Sequence, residues 1–189
     1  MRELEQYIKT HYEIIQPNEL KEVSMLFHPI TLKKGDYFLK EGQQCDKFCF
    51  IKNGFIRVFS TSGENEVTQW IATNGHFGTD FSSFFFNLPS RWNIQALDTA
   101  ELFIISKENY DKIGDIVPNW TDLERTFLIK CLTMMESRIH SHLSMSAKER
   151  YLLFFENNKA LFNQVPLQYI ASMLGMTPET FSRIRSKQV

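Results

Sequence analysis

Cysteine is scarce: Cys45, Cys49 and Cys131 are the only three in 189 residues. An odd number without disulfide-rich spacing points to a reducing compartment rather than a stapled secreted scaffold. Cys45 and Cys49 have no second pair beside them. They supply too few ligands for a zinc site or a cysteine-ligated iron–sulfur cluster and read as ordinary thiols. No apolar run approaches the length of a membrane span. The charged N-terminus MRELEQYIKT also lacks the apolar core of a secretion signal, so the expected location is cytoplasmic. Five histidines (His11, His28, His76, His140, His142) are scattered without a nucleophile motif. His140 and His142 do not share a helix face as metal ligands would, and no enzyme or metal site is expected.

Charge of one sign is also lacking overall, with 21 Lys/Arg against 22 Asp/Glu, but its distribution is uneven. From Ser146 onward there are 6 basic and 3 acidic side chains, or +3, which leaves −4 on the preceding residues. A mildly basic tail on an acidic body fits a nucleic-acid reader joined to a different module. What the chain has in quantity is phenylalanine, 17 residues spread along its length, as core packing requires.

Leu4, Tyr7 and Ile8, then Leu20, Val23, Met25 and Leu26, recur at helical spacing, with Pro17 placed to open a second helix. From Ile30 to Ser106 the pattern becomes short β-type runs: Tyr37–Lys40, Lys47–Ile51, Phe55–Ser60, Glu66–Ile71, Trp92–Ala96 and Leu102–Ile105. Turn residues such as Lys34-Gly35-Asp36, Asn53-Gly54 and Ser62-Gly63-Glu64 separate them, which predicts a compact all-β barrel or roll. Pro118-Asn119 then opens a long helix running to about Leu143. It carries two apolar stripes. One is Trp120, Leu123, Phe127, Cys131 and Met134; the other is Leu128, Leu132, Met135, Ile139 and Leu143. Two stripes need cover, typically from the helix's own domain and a second copy of the chain; the alternative is a single broad core face within one subunit. Ser146 and Glu149 form a capping box that opens a further short helix after a hinge at 144–146.

The segment from Val165 to Val189 predicts two helices crossing at a tight turn. Pro166 suits a first helical residue, Ala171 is small enough for close crossing, and Gly175 permits a left-handed backbone. Thr177-Pro178 restarts a helix as cap and first-turn residue. Ile170, Leu174, Met176, Phe181 and Ile184 fill the wedge between the two helices. The second helix then faces outward with Thr177, Pro178, Glu179, Ser182, Arg183 and Ser186. Arg183 suits the guanine edge and Glu179 the cytosine amino group; the alternative is an ordinary helical hairpin in which the two form a surface ion pair. Arg185, Lys187, Thr180 and Ser182 suit phosphates.

With these elements in place, the chain resembles the cAMP receptor protein/fumarate–nitrate regulator (Crp/Fnr) family almost end to end. Lys34-Gly35-Asp36-Tyr37-Phe38-Leu39-Lys40-Glu41-Gly42 and Phe50-Ile51-Lys52-Asn53-Gly54-Phe55-Ile56-Arg57-Val58 look like the opening hairpins of a cyclic-nucleotide-binding β-roll. Thr177-Pro178-Glu179-Thr180-Phe181-Ser182-Arg183-Ile184 resembles the family's recognition helix. The resemblance implies an α+β chain: an N-terminal double-stranded β-helix (the cyclic-nucleotide-binding-like β-roll, residues 1–117), a dimerisation helix and hinge (118–145), and a helix-turn-helix (146–189). It implies a sequence-specific transcriptional regulator working as a homodimer on double-stranded DNA, with RNA polymerase as a further candidate partner. Leu123, Phe127, Cys131 and Met134 are the expected dimer-interface residues.

The effector pocket implied by the resemblance comprises Gly78, Thr79, Asp80, Ser82, Ser83, Arg91, Trp92 and Thr133, and it departs from the family pattern. Arg91 matches the arginine that neutralises the cyclic phosphate, and Gly78, Ser82 and Ser83 offer backbone N–H groups and hydroxyls to an anion. Thr79 replaces the ribose-binding glutamate, the bulky Trp92 follows the arginine, and Asp80 is displaced by one position and is expected to point elsewhere. Weak or absent cAMP binding is expected, and the pocket is empty, takes another small-molecule or anionic effector, or is filled by Trp92. His76 reads as structural rather than as a haem ligand. The β-hairpin wing that follows the recognition helix in relatives is expected to be absent or truncated. An alternative stays open: a ligand-sensing or protein-interaction module with a non-functional DNA head.

Overall fold

The computed structural model describes residues 2–12 and 16–187; Val189 and its neighbour, the end of the expected C-terminal segment, lie outside the described residues. Two helices, α1 (Arg2–Tyr12) and α2 (Pro17–Met25), lead into eight strands. These are β1 (His28–Leu32), β2 (Tyr37–Leu39), β3 (Lys47–Asn53), β4 (Ile56–Ser62), β5 (Asn65–Ala72), β6 (Phe77–Gly78), β7 (Asn93–Ala96) and β8 (Ala100–Ser106). A short helix, α3 (Phe81–Phe86), sits between β6 and β7. After the strands come α4 (Lys107–Asp111), α5 (Ile113–Ile116), α6 (Trp120–Ser144), α7 (Ala147–Asn157), α8 (Leu161–Gln164), α9 (Leu167–Met173) and α10 (Pro178–Ser186).

The strands make two four-stranded antiparallel sheets, in the orders β1-β8-β3-β6 and β2-β7-β4-β5. Side-chain alternation explains why β3 and β8 are apolar nearly throughout. Cys49, Ile51, Ala100, Leu102 and Ile104 face the core between the sheets, with Ile56, Val58 and Ile94 opposite them. Phe48, Phe50, Phe103 and Ile105 face the other way, onto Leu4, Ile8, Leu20 and Val23 of the N-terminal helices and onto Trp120, Leu123 and Phe127 of α6. Burial on both faces replaces the usual apolar–polar alternation with a continuous apolar run.

The second sheet is covered as well. Phe55 and Ile71 form one core with Tyr151, Leu161, Phe162, Val165, Ile170, Ala171, Met173, Leu174 and Phe181 of the C-terminal helices, with Trp70 and Leu97 packed against it. The layers therefore run helices, sheet, sheet, helices. α7 opens on the expected capping box: the Ser146 hydroxyl accepts from Glu149 N–H, and a Glu149 carboxylate oxygen accepts from Ser146 N–H.

The structure corrects the interface expected on α6. Leu123 and Phe127 are buried in the chain's own core and Cys131 packs against it, so only Met134 of that set is exposed. The N-terminal third of the helix lies on the first sheet, and that contact takes the stripe beginning at Trp120. The other stripe is the open one, with Leu128, Leu132, Ile139 and Leu143 exposed and Met135 half-buried.

Candidate functional site

The loop from Phe77 to Trp92 holds most of the residues expected to form an effector pocket. Its short helix α3 leaves free N–H groups at its N-terminus, which are a natural seat for an anion. That seat is taken. Asp80 is the N-cap, in extended conformation, and is only 3% exposed. Its Oδ1 accepts from Ser82 N–H at 3.0 Å, Ser83 N–H at 3.2 Å and the Ser82 hydroxyl at 2.9 Å. Its Oδ2 accepts from the Ser90 hydroxyl at 2.8 Å, and that same oxygen of Ser90 accepts from Trp92 N–H at 3.0 Å. Burial raises the Asp80 pKa, but the hydrogen bonds from Ser90, Ser82 and Ser83 outweigh it and hold the carboxyl below its ordinary value. The expectation that Asp80 points elsewhere is corrected: it points into the cradle and is held there as an anion.

Ser83, Thr79 and Gly78 are committed as well. The Ser83 hydroxyl accepts from Cys45 N–H at 2.7 Å. The Thr79 hydroxyl donates to the Lys47 carbonyl at 3.0 Å, with Cys45 Sγ at 3.3 Å. Gly78 is a packing requirement, since a Cβ there would stand 2.8 Å from Cys49 Sγ. Burial is also the main reason the Cys49 thiol is pushed far above its usual range. Trp92 is half-buried against the inter-sheet core, and the exposed Arg91 lies over its ring at 4.9 Å. Thr133 stands on the exposed side of α6, with its hydroxyl donating to the Ile129 carbonyl. His76 accepts Thr73 N–H through Nδ1. Among the described residues no cluster of three or more His, Cys, Asp or Glu is arranged to hold a metal.

At the other end of the chain, α9 and α10 meet at a tight turn. Gly175 takes φ +67°, and Ala171 beneath it is fully buried. α9 starts one residue later than expected, with Pro166 as its N-cap rather than its first residue. Thr177 caps α10 through Thr180 N–H at 3.3 Å, and Phe181 packs back onto Tyr151 and Phe162. This leaves Thr177, Pro178, Glu179, Ser182, Arg183, Ser186 and Lys187 exposed, with Thr180 and Arg185 half-buried. The N–H of Glu179 itself and the Thr177 hydroxyl hold the Glu179 carboxyl below its ordinary value. Among the described residues neither Glu179 nor Arg183 forms an ion pair, and both lie exposed on one outward surface.

Several residues that matter here have little voice in the sequence. Ser90 joins the two halves of the loop through Asp80, and the available sign was only Asp80 itself, a favoured N-cap residue ahead of the Phe81–Phe86 run. Arg57 is 1% exposed as the second residue of β4. A lone arginine between Phe55 and Phe59 on the outer face of the sheet signalled that something covers that face.

Residues 29–115 match the family model of the cyclic nucleotide-binding domain. No curated protein sequence matches the chain. Among solved structures, FixK2 from Bradyrhizobium japonicum is similar at TM-score 0.71 and 14% identity, covering 85% of this chain and 83% of that one. A CooA mutant from Carboxydothermus hydrogenoformans is similar at TM-score 0.64 and 20% identity, over 88% and 78% of the two chains. The Catabolite Activator Protein of Thermus thermophilus gives TM-score 0.59 and 18% identity, over 93% and 84%. Among the described residues no helix is long and apolar enough to cross a membrane. The chain thus carries a segment matching the cyclic nucleotide-binding domain family and shares its overall fold with transcriptional regulators of the Crp/Fnr family.

Proposed function

We propose that this chain is a Crp/Fnr-like transcriptional regulator that binds a two-fold symmetric DNA site as a homodimer and does not answer to cAMP. The observation that carries the DNA-binding reading is the outward surface of α10. Glu179 and Arg183 lie one turn apart, with no ion pair among the described residues, on a helix capped by Thr177 and held through Phe181 in the core that contains Ala171. Such a surface suits a major groove, with Arg183 donating to guanine and Glu179 accepting from cytosine. Arg185, Lys187 and the hydroxyls of Thr180 and Ser182 serve phosphates.

Dimerisation is assigned to the open stripe of α6: Leu128, Leu132, Met135, Ile139 and Leu143, flanked by Ile129 and Met134. A row of apolar side chains left open from Leu128 to Leu143 is costly in water and is relieved by a second copy of the same row. The working units are residues 1–117, 118–145 and 146–189. Insensitivity to cAMP rests on Asp80, whose carboxylate already holds the amides and hydroxyl that a cyclic phosphate would use. A cyclic phosphate entering that seat would have to displace a buried anion.

The test is selection of DNA by the pure chain from a random pool, followed by gel shift at controlled salt. Retention of a two-fold symmetric site, lost on Arg183→Glu, supports the reading. Failure to select any site rejects it in favour of a sensing or protein-interaction module.

A further inference from the structure

The second sheet ends in β5, an edge strand whose outer N–H groups face no further strand among the described residues. The register between β4 and β5 slips at Gln69, because Val58 pairs with Trp70 and Phe59 with Thr68. This bulge turns the Thr68 N–H outward, where it donates to the Ser172 hydroxyl of α9 at 2.9 Å. The Thr68 hydroxyl accepts from Arg57 Nε at 2.9 Å, and Arg57 also pairs with Glu66 through Nη1. The Arg57 guanidinium is stacked between two rings, Phe59 of its own strand at 4.1 Å and Tyr169 of α9 at 3.8 Å.

Two more arginines hold the C-terminal end of the same helix. Arg138 of α6 donates to the Met173 carbonyl at 3.1 Å and lies 5.3 Å from the Trp70 ring. Arg150 of α7 donates to the Leu174 carbonyl at 2.9 Å. Cations at the free carbonyls of a helix end are well placed. Helix α9 is therefore gripped on two sides by the roll and the long helix, while the surface of α10 stays exposed.

We propose that Arg57 is the positioning residue of the C-terminal head: stacked on Tyr169 and relayed through Thr68 to Ser172, it fixes α9, and with it the reading surface of α10, on the edge strand β5. This rests on the DNA-binding reading above. The docked arrangement hides none of Thr177, Glu179, Ser182 or Arg183, so it acts on DNA affinity by pre-orienting the head rather than by covering it.

Two measurements on the full chain test it: hydrogen exchange of the Thr68 amide, and affinity for the DNA site selected by the wild-type chain. Tyr169→Ala removes the ring, while Tyr169→Phe keeps it; Ser172→Ala breaks the other end of the relay. The expected result is a slow Thr68 amide in the wild type and in Tyr169→Phe. In Tyr169→Ala and Ser172→Ala the amide exchanges faster and DNA binding is weaker, by about tenfold for Tyr169→Ala, with the same salt slope because the phosphate contacts are unchanged. A fast Thr68 amide in the wild type overturns the proposal, as does a Tyr169→Ala chain with freed Thr68 and unchanged or tighter DNA binding. If Tyr169→Phe behaves like Tyr169→Ala, the ring stack is not the device. A wild-type chain that selects no DNA while Thr68 stays protected rejects the regulator reading, and is thereby told apart from failure of the docking.

Discussion

Replacing Asp80 by alanine strips the anion from the mouth of α3, and its cost can be worked out group by group. Ser82 and Ser83 N–H lose their only described acceptor, the loss of an N-cap, which typically costs about 1 kcal/mol. Hydrogen bonds to a charged acceptor are worth about 1.5–3 kcal/mol net, but the Ser90 hydroxyl stays satisfied because the Trp92 carbonyl lies 3.0 Å away and can accept in place of Oδ2. The expected total is about 2–3 kcal/mol. For a chain of this size that lowers the melting temperature by roughly 5–10 °C. Asp80→Asn retains one carbonyl oxygen for the helix amides and should cost about half as much.

The pH dependence follows from the carboxyl being held below its unfolded value. Its contribution is complete above about pH 5 and disappears as the pH falls through the lower, folded pKa. The gap in unfolding free energy between wild type and Asp80→Ala, measured by urea denaturation, should therefore be constant near neutrality and shrink below about pH 4. A gap under about 0.5 kcal/mol at pH 7, or one that widens in acid, refutes the assignment of Asp80 as a buried internal anion.

Isothermal calorimetry of the wild-type chain with cAMP should show no binding in the micromolar range; a micromolar affinity sinks the occupied-cradle reading. Leu132→Asp and Ile139→Asp should give a folded monomer by sedimentation, since both positions are exposed in the single chain. Phe127→Ala instead should destabilise the fold by about 3–5 kcal/mol, because that ring sits in the core beneath α6. Gly175→Ala should cost about 1 kcal/mol or more in thermal stability, as it forces a side chain to φ +67° with the His142 ring 3.4 Å from the new Cβ; an unchanged melting point would show that the turn relaxes.

Local chemistry was legible where one short stretch of sequence decides it. The Ser146–Glu149 box, the Gly175 turn and the Thr177-Pro178 cap all depend on neighbours within a few residues, and the sequence identifies them. Periodicity also gave α6 its two apolar stripes, but it does not say which body covers which stripe. The assignment of Leu123 and Phe127 to a partner failed for that reason: the first sheet reaches them within the same chain. β1 escaped notice because Pro29 lies inside it, which an edge strand tolerates, and β6 is only two residues long. The role of Asp80 was hidden by reading it against a family position rather than as the cap of its own helix. The docking of α9 on β5 joins residues 104 apart in sequence, beyond any local signal apart from the misplaced charge of Arg57.

The rooting of α6 has a mechanical corollary. Its base is clamped at Phe127, and Arg138, 11 residues on, holds the Met173 carbonyl at 3.1 Å. At about 1.5 Å rise per residue the lever between them is about 16 Å long, so each degree of tilt moves the guanidinium by about 0.3 Å. A hydrogen bond at that distance tolerates a stretch of about 0.4 Å before it is lost. A tilt of a few degrees thus moves the guanidinium by about an ångström, which the contact with Met173 follows through the arginine's own side-chain torsions. The shaft thereby couples the seating of its base on the core to the carbonyl end of α9.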